Sequence, residues 1–250
     1  MTVHFIGAGP GAADLLTLRA VAHLEASRVC LYAGTYLDDA ILAHCPADAT
    51  LIDTQNLDLD QITDHVVDAH IAGHDVARLC SGDPSIYSAV AEQTKRLDEA
   101  GVPWDVTPGV PAYAAAAALL GVELTVPELA QSVVLTRAHA RSTAMPESES
   151  IANFARTRST LVLHLAITRI RVLADELAAE YGSDCPVAVV YRASQPGELI
   201  LRGLLADIAD QVEAAQLRQA AVIIVGRALA PDRVVESHLY DPGRSRQQGP

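Results

Sequence analysis

The sequence predicts an α/β fold. Short apolar runs alternate with longer stretches in which apolar residues recur at helical spacing. The apolar runs end in turns built on glycine and proline: Gly7-Ala8-Gly9-Pro10-Gly11, Ser81-Gly82-Asp83-Pro84 and Pro108-Gly109. Such alternation makes mostly parallel strands covered by helices on both faces.

Residues 3–6 form the first strand and run straight into the first glycine-rich turn. In 14–27 the apolar positions 15, 18, 21, 22 and 24 have helical period, and Asp14 is a fair N-cap. Residues 28–32 read as the next buried strand. An amphipathic helix follows at 58–72, stopped at Gly73. A strand at 75–80, a helix at 85–100, a strand at 104–107 and a small-residue helix at 110–120 complete the first half.

The rhythm changes near Pro127. Strands are expected at 132–136, 160–164, 186–191, 198–202 and 220–225, and helices at 151–157, 168–181 and 204–215. Pro196-Gly197 between two of these strands predicts a hairpin, so the second sheet is expected to be mixed. The expected division is a first α/β domain at 1–122, a second at 123–231 and a polar tail at 232–250.

Composition narrows the function. The chain has 250 residues, half hydrophobic and a fifth charged, with a formal net charge of -13. An acidic surface argues against nucleic-acid and anionic-membrane partners. Seventeen of the 18 basic residues are arginine, leaving Lys95 as the one lysine, which removes most phosphate-loop and Schiff-base chemistry. Cys30, Cys45, Cys80 and Cys185 form no CxxC pair, and so neither a disulfide framework nor a zinc ribbon. The N-terminus lacks a basic segment before an apolar one, and no uncharged apolar run reaches about 18 residues, so a cytoplasmic location is expected.

The turn at 7–12 fits the strand–GxGxx(G/A)–helix pattern of dinucleotide binding. Two features oppose that reading. The second strand ends Leu31-Tyr32-Ala33-Gly34 with no ribose-binding acid, and Pro10 lacks an N–H for a pyrophosphate. Ser81–Tyr87 ends a predicted parallel strand, where open α/β sheets bind ligands. Asp83 and Pro84 alone would also suit a helix start. His70 and His74 stand four residues apart, but Gly73 breaks the helix between them, so no metal is expected there. No nucleophile with an obvious base is evident. Arg137, Arg141, Arg192 and Arg227 lie at or just beyond predicted strand ends, and guanidinium forks match carboxylates.

Gly7–Gly11 followed by Leu15-Leu16-Thr17, Gly82-Asp83-Pro84 with Tyr87, and Pro108-Gly109-Val110 recur in an informative order. With Leu135-Thr136-Arg137 and Val189-Val190-Tyr191-Arg192-Ala193, they resemble the class III tetrapyrrole methyltransferases, which use S-adenosylmethionine. The resemblance spans residues 3–229. Ser81–Tyr87 and the stretches from Thr136 to Pro146 and from Tyr191 to Glu198 resemble the corrin branch, although Gln195 and Gly197 replace a common Trp and Asp.

The resemblance implies two α/β domains holding S-adenosylmethionine and an anionic tetrapyrrole in a trough between them, usually in a homodimer. The implied cofactor contacts are Pro10, Gly82, Asp83, Ile86, Tyr87, Pro111, Ala112, Leu165, Tyr191 and Ala221. Arg137, Arg141 and Arg192 are expected to meet the substrate's carboxylates, and no catalytic base is identified. A cobalt-carrying tetrapyrrole substrate, a different corrin-ring carbon and a redox nucleotide-binding module stay open as alternatives.

Overall fold

In a computed structural model of the chain, residues 1–34, 37–138 and 144–231 are described. They form two compact units. One is Met1–Ala115 together with Arg192–Glu198; the other is Ala116–Tyr191 together with the described residues from Leu199 onward.

The first unit contains β1 (Val3–Gly7), α1 (Leu18–Ala26), β2 (Val29–Tyr32), α2 (Asp39–Leu42) and β3 (Thr50–Asp53). It continues with α3 (Leu59–Ile71), β4 (Val76–Cys80), α4 (Val90–Glu99) and β5 (Trp104–Thr107), and α5 (Ala112–Leu120) begins within it. Its sheet has the order β3-β2-β4-β1-β5, with every pair parallel. Side-chain alternation sorts the two faces. Val3, Phe5, Val29, Leu31 and Val76 pack with Ile62 and Val66 of α3 and Leu97 of α4. Ile6, Cys30, Ala77 and Leu79 pack on the other face with Ala20 and Leu24 of α1 and with Ile41 of α2.

Side-chain caps set several helix starts, those of α1, α2 and α3 among them. Asp58 and Gln61 form a reciprocal capping box at the start of α3. α1 starts later than predicted. Asp14 lies in a 3-10 turn (Ala13–Leu15), and Thr17 Oγ1 caps α1 by accepting the Ala20 N–H at 3.1 Å. The predicted helix from residue 85 is also delayed, to Val90, because Tyr87 and Ala89 adopt left-handed backbone (φ 54° and 50°) that cannot continue a right-handed helix. His70 Nδ1–H donates to the Met1 carbonyl at 2.8 Å.

The second unit contains β6 (Val133–Arg137), α6 (Ile151–Ala155), β7 (Thr160–His164), α7 (Ile170–Tyr181) and β8 (Pro186–Tyr191). β9 (Leu199–Leu204), α8 (Ile208–Ala214) and β10 (Ala221–Val225) follow. The order is β6-β7-β10-β8-β9. β6 and β7 are parallel, the other pairs antiparallel, and β8 and β9 form the expected hairpin. Leu161, Leu163, Val187, Val189, Ile223 and Val225 pack on one face against Leu173 and Leu177 of α7 and Ile208 and Val212 of α8. Among the described residues of the chain, no helix is long and apolar enough to cross a membrane.

Two glycines fix how the chain leaves the first sheet. A Cβ on Gly7 would sit 2.5 Å from Gly109 Cα and 2.8 Å from the Gly82 carbonyl oxygen. A Cβ on Gly109 would sit 2.7 Å from Gly7 Cα. Both obstacles are backbone and cannot rotate away. Gly109→Ala is therefore expected to destabilise the protein by about 1–3 kcal/mol, the usual range for overpacking. Urea denaturation checks this; an unchanged midpoint would show that the strand ends can spread.

Candidate functional site

β1 and β4 are neighbours, yet the chain leaves them toward opposite faces. After β1 it enters α1 on one face; after β4 it enters α4 on the other. This is a topological switch point, and the two turns that diverge there bound the usual ligand crevice of an open α/β sheet. The turns are pinned together. Gly9 N–H donates to the Gly82 carbonyl at 3.1 Å, and Gly82 N–H to the Gly9 carbonyl at 2.8 Å. Gly9 and Gly82 both have positive φ (73° and 69°), where glycine carries no steric penalty.

The first turn spends its amides within the protein. Ala8 N–H donates to Cys80 O at 2.8 Å, and Ala12 N–H to Ser194 Oγ at 3.2 Å. Gln195 Nε2 donates to the Pro10 carbonyl at 2.6 Å. A Cβ on Gly11 would collide with the Gln195 side chain, so Gln195 lies directly over the turn. With Ala8, Gly9 and Ala12 engaged and Pro10 lacking an N–H, the turn does not have the array of free donors that a pyrophosphate requires.

Asp83 clamps the second turn to the third. Its Oδ2 accepts the Gly109 N–H at 2.8 Å, and its Oδ1 accepts the Ser85 N–H at 2.9 Å and the Ser85 hydroxyl. Asp83 thus closes a local turn rather than capping α4, which the sequence had suggested. Partial burial pushes its pKa up, but the hydrogen bonds from the Ser85 hydroxyl and the Gly109 and Ser85 amides outweigh this and hold the carboxyl below its usual value.

Around this clamp the structure brings several expected residues together. Ile86 N–H donates to Asp83 O at 3.2 Å. A Cβ on Gly82 would stand 3.6 Å from Pro111 Cα and 3.7 Å from Ala112 N. Tyr87 follows, 49% exposed on left-handed backbone. Sequence reasoning missed Thr107, whose buried Oγ1 has no hydrogen-bond partner among the described residues. A polar residue at the end of a strand, just before Pro-Gly, was the available signal.

In the second unit, strand register gathers another group at one sheet end. Arg137 is the cross-strand partner of His164, and Tyr191 is the partner of both Ala221 and Leu199. Leu165 follows His164, is 66% exposed and has positive φ (52°). Burial holds the His164 imidazole below its ordinary pKa, which favours the neutral ring. Arg192, next after Tyr191, is likewise left-handed (φ 51°). Arg227 does not join Arg137. It follows the far end of β10, which runs antiparallel to β7, and its Nη2 donates to both carboxylate oxygens of Asp184 at 2.9 Å. Arg141 lies outside the described residues.

The Asp83 clamp can be tested directly. In Asp83→Asn one oxygen becomes an amide, so the Gly109 N–H or the Ser85 donors lose an acceptor. The expected cost at pH 7 is about 1–2 kcal/mol. Because the folded pKa is depressed, the Asp83 contribution is complete above the unfolded pKa of about 3.9 and is lost as pH falls through the folded value. Denaturation midpoints from pH 7 to 3 should therefore show a smaller acid loss in Asp83→Asn than in wild type. Identical curves would mean that the carboxylate holds nothing.

Known proteins match this chain over nearly its whole length. The model of the tetrapyrrole (corrin/porphyrin) methylases matches residues 2–209. A precorrin-4 C(11)-methyltransferase from Rhodococcus erythropolis is 56% identical over 246 residues, covering 98% of this chain and 99% of that protein. The solved structure of a cobalt precorrin-4 methyltransferase has a TM-score of 0.89 at 35% identity, over 92% of this chain and 96% of its own. A uroporphyrin-III C-methyltransferase from Thermus thermophilus, solved with S-adenosylhomocysteine, has a TM-score of 0.76 at 28% identity, over 92% and 94%. On these matches the chain belongs to the tetrapyrrole (corrin/porphyrin) methylases.

Proposed function

We propose that the chain transfers a methyl group from S-adenosylmethionine to C11 of precorrin-4, forming precorrin-5 in cobalamin biosynthesis. The observation that carries this reading over a redox nucleotide-binding module is the engagement of the turn after β1, whose Ala8, Gly9 and Ala12 amides bond within the protein. The 56% identity to a precorrin-4 C(11)-methyltransferase supports the cobalt-free substrate. We place the enzyme in the cytoplasm as a homodimer.

The residues present suit the donor. Thr107 offers a buried, unmet hydroxyl beside the Pro108-Gly109 turn. Tyr87 and Leu165 present apolar surface on backbone whose left-handed turns leave peptide groups outside regular ladders. When bound, S-adenosylmethionine supplies a methyl group on a cationic sulfur that departs as a neutral thioether, so the chain needs no nucleophile of its own. The chain's task is to orient two reactants and exclude water.

For cofactor contact we name Pro10, Gly82, Asp83, Ile86, Tyr87, Pro111 and Ala112 in the first unit, and Leu165, Tyr191 and Ala221 in the second. Arg137, Arg141 and Arg192 are the proposed partners of the substrate's carboxylates. In a chain of net charge -13, such local cations offset the repulsion of a polyanionic acceptor. Their planar forks fit carboxylates bidentately.

S-adenosylhomocysteine should bind at about micromolar Kd, near -8 kcal/mol, and raise the melting temperature, whereas NAD should leave it unchanged. The opposite response would sink the methyltransferase reading. Assays with metal-free and cobalt-loaded precorrin-4 should give turnover with the metal-free form; turnover with the cobalt form alone would reassign the substrate. Arg137→Ala should raise substrate KM roughly tenfold or more, as expected for losing about 1.5–3 kcal/mol of charge-assisted bonding, while S-adenosylhomocysteine affinity holds. An unchanged KM and salt dependence would remove Arg137 from the substrate site.

A further inference from the structure

His4, His23 and Asp105 meet on the first unit, apart from the turns described above. His4 lies on β1 three residues before Gly7, a separation of about 10 Å along the strand. Parallel register makes Asp105 of β5 the direct partner of His4. His4 Nδ1 stands 2.9 and 3.0 Å from the two carboxylate oxygens of Asp105. His23, in the last turn of α1, lays its ring against His4, with centroids 3.9 Å apart and planes inclined by 25°. One donor atom from each of the three lies within 4.8 Å of the others.

We propose that His4, His23 and Asp105 bind a first-row divalent transition-metal ion, with Zn²⁺ the best match. Two imidazoles and a carboxylate are a common three-ligand set for zinc, leaving the remaining positions to water. They are a poor set for Mg²⁺ or Ca²⁺, which take nearly all their ligands from oxygen. Ligands about 2.1 Å from a tetrahedral ion are about 3.4 Å apart. The His4–Asp105 pair already has nearly that spacing. The remaining closure is within reach of rotating the His23 ring, so that its nitrogen points at the ion instead of stacking. The three ligands stand on regular elements: His4 and Asp105 sit in a sheet, and His23 sits on a helix packed against it through Ala20 and Leu24. The half-exposed Asp105 carboxylate leaves a path from solvent.

A bound ion would tie an edge strand, a central strand and a helix of one unit together. It is independent of methyl transfer, so its failure leaves the proposed function standing. The competing account is a plain cross-strand ion pair with a histidine stacked on it.

The test uses the purified full chain without a histidine tag, titrated with Co²⁺, whose visible absorption reports its ligands, and then with Zn²⁺ in competition. One equivalent should bind with d–d bands of low coordination number, and Zn²⁺ should displace it. At about 100 times its Kd, Zn²⁺ should favour folding about 100-fold, read as a rise in melting temperature. H23A should fold, since alanine suits a helix, and should weaken binding at least tenfold; D105N should do the same. H74A, a histidine elsewhere on the unit, should bind like wild type. Binding that persists in H23A, or none below millimolar Co²⁺ and Zn²⁺, would overturn the proposal.

Discussion

Three stretches of backbone leave the first sheet through one gap too narrow for a methyl group. Gly7 ends β1 and Gly109 begins the turn after β5, and a Cβ on either would run into the backbone of the other and into the Gly82 carbonyl. Once the strands are this close, the rest of the region is nearly dictated. Gly9 and Gly82 can exchange hydrogen bonds, and Asp83 can reach the Gly109 amide. In the turn after β1 the Ala8, Gly9 and Ala12 amides meet protein acceptors, and Pro10 has no N–H to offer. A dinucleotide-binding turn solves the same backbone problem differently, holding its amides for phosphate. The two solutions look alike in one-dimensional sequence and differ in where the hydrogen bonds go.

The second unit depends on a different constraint. β10 is the last strand in the chain but lies near the middle of its sheet, antiparallel to both neighbours. That insertion places the start of β10 beside the ends of β7 and β8, so residues distant in sequence share one edge. Ala221 and Tyr191 become direct partners by this route. The same direction carries Arg227 to the far edge, where Asp184 neutralises it. Direction within the sheet, rather than closeness to a strand terminus, separates Arg227 from Arg137.

Much of this was legible from residue order. β5, β7 and β8 match their predicted ranges: Pro103 and Pro108 bracket β5, Pro186 opens β8, and β7 is a short run rich in β-favouring residues. The parallel and mixed characters of the two sheets followed from helices between strands in one half and a Pro-Gly hairpin in the other. α2 and β3 were not anticipated, being four residues each with little periodicity to read. The delay of α4 was hidden because left-handed backbone at Tyr87 and Ala89 is set by surroundings and not by residue type. The Gln195–Pro10 bond joins positions 185 residues apart, which no local pattern encodes. Glycines and proline disclosed where the turns would be; only the packed structure disclosed which donors those turns had left.

Tyr87, Leu165 and Arg192 share a further trait, an unfavourable backbone conformation at a candidate contact position. Left-handed geometry costs a non-glycine residue about 1–2 kcal/mol, and glycine would relieve it. A selection for heat resistance alone would therefore be drawn to these positions, since relaxing them lowers the energy of the folded state without repacking a core. What such a selection would discard is the phenol, the isobutyl group and the guanidinium that the strain holds in place. Around the strand ends, durability and chemistry compete for the same residues.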